Sequence, residues 1–130
     1  MFERDEAISA YQQAAIHANA ASANPHQLVL MLINGLLDEL ARAEGHLIAR
    51  SLERKGHSIA RCLEILGGLD SALNMAQGGA LALDLHRLYD YCGQRLFEVS
   101  VSYQREGVSE VRRLIEELRE GWETIGQQMA

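Results

Sequence analysis

The chain is poor in residues that break helices, and proline is the clearest case. Its 130 residues include one proline, Pro25. Proline interrupts helices because it lacks a backbone donor and clashes with the preceding turn. Leucine, alanine, glutamate and arginine, which favour helices, are abundant instead. The composition therefore predicts an all-α fold. A chain of this length forms one domain that needs neither a disulfide nor a metal to fold.

The chain also lacks an excess of positive charge. Twelve Lys and Arg residues stand against eighteen Asp and Glu, a net charge of −6. An acidic chain repels phosphate backbones and anionic membrane surfaces. No apolar run reaches the roughly 20 residues that cross a bilayer. Residues 1–5 have no apolar signal-peptide core behind them. We therefore expect no nucleic-acid partner and no membrane insertion.

Cysteine is scarce, with only Cys62 and Cys92, and both lie in apolar-periodic segments. This placement predicts two buried, reduced thiols that act as small hydrophobic side chains. A disulfide between them is the alternative. Free thiols, together with the absence of a leader and of a membrane span, favour the cytoplasm.

Residues that could carry chemistry are scattered. The chain has no Glu-x-x-His pair of the kind that binds metal in helical bundles. Glu53 and His57 are four apart but have no matching carboxylates elsewhere. No phosphate-binding loop or nucleophile elbow occurs. We predict no enzymatic activity, no cofactor and no metal, with a metal-binding four-helix bundle as an alternative.

Five segments have apolar residues three and four apart, which is typical of helices. The first segment, residues 5–21, has a narrow apolar stripe that is mostly alanine, in which Ile8 and Tyr11 are the only large side chains. Because alanine buries little area, we expect residues 1–22 to be a mobile N-terminal segment of a single domain, residues 1–130. This segment either covers part of a binding groove or frays.

The other four segments cover about residues 24–47, 51–75, 80–104 and 108–126, with breaks at Gly78-Gly79 and Gly107. Asn24 and Pro25 form a strong helix start. Short connections make neighbouring helices antiparallel. The predicted fold is therefore an antiparallel up-down four-helix bundle with an additional short N-terminal helix.

The apolar surface exceeds what a bundle of this size needs for its core. Residues 28–33 are apolar on every face, so Leu28 and Met31 fall beside the core stripe. Either burial among several helices or a groove wall explains them. The predicted inward-facing residues of the last two segments are Leu81, Leu85, Leu88, Cys92, Leu96, Val99, Tyr103, Val111, Leu114, Ile115, Leu118, Trp122 and Ile125. Tyr89 and Phe97 flank this seam and Tyr91 lies away from it. Surplus apolar surface usually binds another chain.

Several motifs follow one another along nearly the whole chain. They are Tyr11 in an Ala-rich segment, Asn24-Pro25 before a Leu-rich helix with Gly35, Gly78-Gly79, Leu88-Tyr89-Asp90-Tyr91 with Arg95-Leu96, and Leu118-Arg119-Glu120-Gly121-Trp122. In this order they resemble the FliS family of flagellar secretion chaperones. The Leu-Tyr-Asp-Tyr motif is the most specific. The chain departs from the family pattern at Gly93, where a bulkier residue is usual.

The resemblance implies a helical bundle that binds the disordered C-terminal region of flagellin. Such a bundle prevents premature polymerisation in the cytoplasm and aids delivery to FlhA, the gate protein of flagellar type III export. Helix-in-groove packing suits such a client. The alternative is a self-associating adaptor, a homodimer with no flagellin client. We expect the partner-binding residues to be Ile8, Tyr11, Leu28, Met31, Tyr89 and Tyr91.

Overall fold

The computed structural model describes residues 24–73 and 75–129, and this part of the chain contains four helices and no strand. We name them α1 (Pro25–Ile48), α2 (Leu52–Ser71), α3 (Met75–Ser100) and α4 (Glu106–Met129). The predicted all-helical fold with four main helices is confirmed. The predicted N-terminal helix, with Ile8 and Tyr11, lies outside the described residues.

The four helices form a closed ring of antiparallel neighbours. Helix α1 packs on α2 and α4, and α3 packs on the same two helices. His26, at the start of α1, is hydrogen-bonded to Trp122 near the end of α4. Lys55, at the start of α2, is hydrogen-bonded to Val99 at the end of α3. Because the Lys55–Val99 contact joins the start of α2 to the end of α3, the loops at residues 49–51 and 101–105 lie at the same end of the bundle. The His26–Trp122 contact lies at the other end.

The core fills the centre of the ring and is almost entirely aliphatic. Its fully enclosed members include Ile33, Leu36, Leu40, Ile59, Leu69, Leu96, Val108, Val111 and Ile115. Three residues predicted to face inward are exposed instead: Leu81, Tyr103 and Ile125. Leu81 follows the bend in α3, Tyr103 lies beyond the last residue of α3, and Ile125 lies in the last two turns of α4. The periodic seam therefore extends further along the sequence than the packed part of the bundle.

Helix α1 has well-formed ends. The Asn24 side chain accepts a hydrogen bond from the backbone N–H of Gln27 at 2.9 Å, which confirms the predicted cap. At the other end, the N–H of Ser51 donates to the His46 carbonyl at 2.9 Å, with Arg50 between them at φ +54°. This left-handed position after a helix is usually glycine, and a residue with a Cβ costs about 1 kcal/mol there.

The break predicted at the glycine pair lies inside α3. Gly79 has φ +52° and ψ −127°, a conformation that glycine adopts easily, and the helix bends there. The predicted end of the preceding helix near residue 75 was wrong, because α2 ends at Ser71. The chain reverses direction between Ser71, the last residue of α2, and Met75, the first residue of α3. A short helical stretch precedes Gly79, and the non-helical backbone of Gly79 separates this stretch from the main part of α3, as the predicted break implies.

Two charged side chains are buried and hold neighbouring helices together. The Nζ of Lys55 donates to the carbonyls of Val99, Ser100 and Ser102 at 3.3, 3.4 and 3.0 Å. A cation at this position binds carbonyls at and just after the end of α3 and interacts favourably with the negative end of the helix dipole. The Glu39 carboxylate pairs with Arg42 at 2.6 Å and with Arg61 of α2 at 3.6 Å.

Candidate functional site

An open groove of about 580 Å³ runs between α2 and α3. We call it the α2–α3 groove. Helix α2 contributes Leu63, Leu66, Gly67 and Asp70, and α3 contributes His86, Tyr89, Asp90, Gly93, Gln94, Phe97 and Glu98. It combines an apolar wall with a polar rim, which suits an amphipathic segment better than a small molecule.

Each of the two helices that form the groove contributes a glycine to its lining. Gly67 and Gly93 both line it. A side-chain carbon at Gly93 would make only an ordinary van der Waals contact with Leu63, at 3.8 Å, so this glycine is not required by a tight helix contact. Phe97 lies beside it and is 62% exposed. A bound segment can therefore approach the α3 backbone closely and cover a large aromatic ring.

Tyr89 forms a wall between this groove and a second, smaller hollow of about 170 Å³. The second hollow is also lined by Val29, Leu81, Leu85 and Trp122. The Tyr89 side chain is buried, and burial raises its pKa to about 12. The phenol is therefore a neutral, largely apolar surface at neutral pH.

An ion pair joins the two helices at the edge of the groove. The Nδ1 of His86 on α3 lies 2.7 Å from the Asp70 carboxylate on α2. The hydrogen bond to Asp70, and then the charge of Asp70, raise the pKa of His86 above its ordinary 6.5. The pair is solvent-exposed, so its contribution to stability is small.

The pair makes stability depend on pH in one direction. A histidine whose pKa is higher in the folded state stabilises the fold below its unfolded pKa, and that contribution is lost as pH rises through the folded pKa. We expect His86→Ala to lower the melting temperature at about pH 6 and to have less effect at about pH 9. Asp70→Asn is the matched comparison, since it removes the same ion pair by changing its other partner. Equal effects of His86→Ala at both pH values would contradict this assignment.

The four expected partner-binding residues that the structure describes do not lie together, and the other two, Ile8 and Tyr11, fall outside the described residues. Tyr89 lines the α2–α3 groove. Tyr91 points the other way, and its hydroxyl donates to Glu110 of α4 at 2.8 Å. Leu28 and Met31 are half-buried on α1 and do not line the groove. The groove also contains residues that the sequence did not assign to binding: Leu63, Gly67, His86, Gly93 and Phe97. In the sequence, the departure from the family pattern at Gly93 is the feature that could have indicated these residues.

The described residues include few groups that could act as a nucleophile or bind a metal. Cys62 and Cys92 are free and buried, as predicted. Burial raises the pKa of both thiols, that of Cys92 to about 12, so neither is a reactive thiolate at neutral pH. Within residues 24–73 and 75–129, no three His, Cys, Asp or Glu side chains are grouped to bind a metal. The same ranges contain no helix long and apolar enough to cross a bilayer.

Comparison with known proteins gives a consistent match. The family described as flagellar protein FliS matches residues 7–129. The flagellar secretion chaperone FliSB of Pseudomonas aeruginosa is 39% identical over 120 residues, which cover 92% of this chain and 95% of that protein. The flagellar secretion chaperone FliS of Salmonella typhimurium is 33% identical over 91% of this chain and 88% of its own length. Since the family match and both relatives span about nine-tenths of the sequence, this protein belongs to the FliS family of flagellar proteins.

Proposed function

We propose that this protein is a flagellar secretion chaperone that binds the C-terminal region of flagellin. The observation that carries this proposal is the similarity, over about nine-tenths of the chain, to proteins named flagellar secretion chaperones. In this role the protein acts in the cytoplasm, where it keeps the client from polymerising before export. It has no catalytic task, and the scattered reactive side chains fit a binding protein.

The α2–α3 groove is the proposed main contact for the client. An amphipathic client helix has an apolar face, which must be covered while the client is unpolymerised. Gly67 and Gly93 leave room for close approach, and Leu63, Tyr89 and Phe97 supply apolar contacts. The rim carboxylates and His86 remain available to the polar face of the client. A disordered client loses conformational freedom on binding, which a large apolar contact offsets.

Further contacts are proposed from the family resemblance. Leu28 and Met31 on α1, together with Tyr91, extend the client contact beyond the groove. Ile8 and Tyr11 take part in client binding, either as direct contacts or as a cover that the client displaces. The complex with flagellin is then delivered to FlhA. When no client is bound, the uncovered Phe97 favours weak self-association into a homodimer.

Phe97→Ser is expected to weaken flagellin binding about 30-fold. Roughly 100 Å² of the exposed phenylalanine is available for contact, and burying that area contributes about 2 kcal/mol. Because Phe97 is 62% exposed in the free protein, its loss should leave the melting temperature nearly unchanged. Titration calorimetry with full-length flagellin measures the affinity.

Ile48→Ser is the matched control for this experiment. Ile48 is 61% exposed but lies at the end of α1, outside the α2–α3 groove. It removes a similar exposed apolar side chain and should leave flagellin affinity unchanged. If both variants bind flagellin like the unaltered protein, the groove is not the main contact. If only Ile48→Ser loses affinity, the client binds at the loop end instead.

A further inference from the structure

The loop end of the bundle carries a second uncovered apolar surface. Ile48, Leu52 and Tyr103 are 61%, 60% and 42% exposed. Ile48 and Tyr103 line one shallow hollow together with Arg50 and Arg105. We call these five residues the loop-end surface. It lies at the opposite end of the bundle from the His26–Trp122 contact.

The loop-end surface is held in a fixed shape. The buried Nζ of Lys55 lies 4.8 Å from the centre of the Tyr103 ring and also binds the carbonyls of Val99, Ser100 and Ser102. The Arg50 guanidinium lies 5.6 Å from the same ring. The loop after α3 is thereby tied to the start of α2. A surface that is already ordered loses little freedom when it binds a partner.

Arg50 occupies a backbone position that favours glycine. Its φ is +54°, and among the described residues it is the only non-glycine residue with a positive φ. The two hydrogen bonds around it, Arg50 N–H to Leu47 and Ser51 N–H to His46, form without its side chain. Glycine would therefore make the same turn with less strain. The Arg50 side chain lies over Tyr103, and the strain of its backbone position suggests that this cation has a function at the loop end.

The charges of this surface differ from those of the protein as a whole. The net charge is −6. Among the described ion pairs, none includes Arg50 or Arg105. Arg105 also lines a neighbouring hollow with Glu44 and Glu106, whereas the hollow that Arg50 lines has no acidic side chain in its lining. An incoming carboxylate can pair with the Arg50 guanidinium, which lies over the Tyr103 ring and is in no described ion pair, beside exposed aliphatic side chains.

We propose that the loop-end surface docks an amphipathic helix with acidic flanks, supplied by a protein other than the client. Its apolar stripe covers Ile48 and Leu52, and its carboxylates pair with Arg50 and Arg105. An arginine fork pairs with carboxylates more specifically than lysine does. The site is separate from the α2–α3 groove, so the chaperone holds its client and this second protein at once.

The test uses a designed peptide of about 18 residues, which is about five helical turns, with a leucine stripe flanked by glutamates. The control peptide has the same stripe with lysines in place of the glutamates. Amide chemical shifts of the isotope-labelled, full-length protein map the contact. We expect the acidic peptide to shift residues 48–55 and 101–105, and the lysine peptide to bind at least fivefold more weakly.

Variants separate the binding role from a structural one. Arg50→Gly should keep or raise the melting temperature, because the turn favours glycine, yet weaken the acidic peptide about fivefold. Ile48→Ser should weaken it at least as much, and Phe97→Ser should not. Equal binding of both peptides, shifts confined to the α2–α3 groove, or unaltered binding to Arg50→Gly would overturn the proposal. Displacement of the peptide by flagellin would also overturn it. So would light scattering that shows Ile48→Ser converting a dimer to a monomer, since the surface would then join two copies.

Discussion

Replacing Trp122 with alanine is expected to lower the free energy of unfolding by about 3 kcal/mol, as large core truncations commonly do. Trp122 packs against the core and stacks on His26 with ring centres 5.2 Å apart. Its Nε1–H donates to the His26 carbonyl at 2.9 Å, and the His26 Nε2–H donates to the Trp122 carbonyl at 2.5 Å. A side chain at Gly126 would collide with the His26 ring, so this glycine lets the two helices meet. Truncation of Trp122 opens the end of the bundle.

Urea denaturation followed by circular dichroism measures this loss. Trp122→Phe is the matched control, because it keeps an aromatic ring against His26 but removes the indole donor. It should cost about 1 kcal/mol, the typical value of one hydrogen bond. If Trp122→Ala unfolds like the unaltered protein but no longer binds flagellin, Trp122 belongs to the client contact rather than to the core.

Lys55→Met is expected to cost about 2–3 kcal/mol of stability. Methionine matches the aliphatic stem of lysine, so the packing is kept while the charge is lost. The carbonyls of Ser100 and Ser102 then lose this donor in a partly buried setting, and the Val99 carbonyl keeps only the N–H of Ser102. Leaving such acceptors without partners is costly. The favourable charge at the negative end of the helix is lost as well. Local opening should appear as faster amide exchange at residues 101–105.

Arg54→Met is the matched control for Lys55→Met. Arg54 is the preceding residue, it is exposed, and it is in none of the described ion pairs. Its replacement should change stability by less than about 0.5 kcal/mol. If chemical denaturation gives the same loss for both variants, the contact of Lys55 with the end of α3 does not stabilise the bundle.

The elements that the sequence predicted correctly depend on local patterns. The spacing of apolar residues correctly predicted the four main helices, and Asn24 with Pro25 correctly predicted the start of α1. Gly79 was correctly identified as a break, because glycine readily adopts a positive φ. Cys62 and Cys92 were correctly predicted to be buried, because they share the apolar face of their helices. In each case the deciding interactions lie within a few residues along the chain.

Features that the sequence did not reveal depend on contacts between residues that are distant along the chain. Lys55 lies in a charged stretch and looks solvent-exposed, but it is buried by carbonyls 44 to 47 residues further along. Tyr91 was predicted to contact a partner; its hydroxyl donates a hydrogen bond to Glu110 on the next helix, which the sequence did not indicate. The α2–α3 groove depends on which faces of two helices meet. Apolar spacing along one helix gives the direction of its stripe but not the width of the gap to its neighbour.

The central claim is that this bundle captures the C-terminal region of flagellin. Titration calorimetry against full-length flagellin, and against flagellin that lacks its C-terminal segment, tests it most directly. We predict one-to-one binding of the full-length client, with a negative heat-capacity change because apolar surface is buried, and no measurable binding of the truncated form. Equal affinity for the two forms would contradict the account.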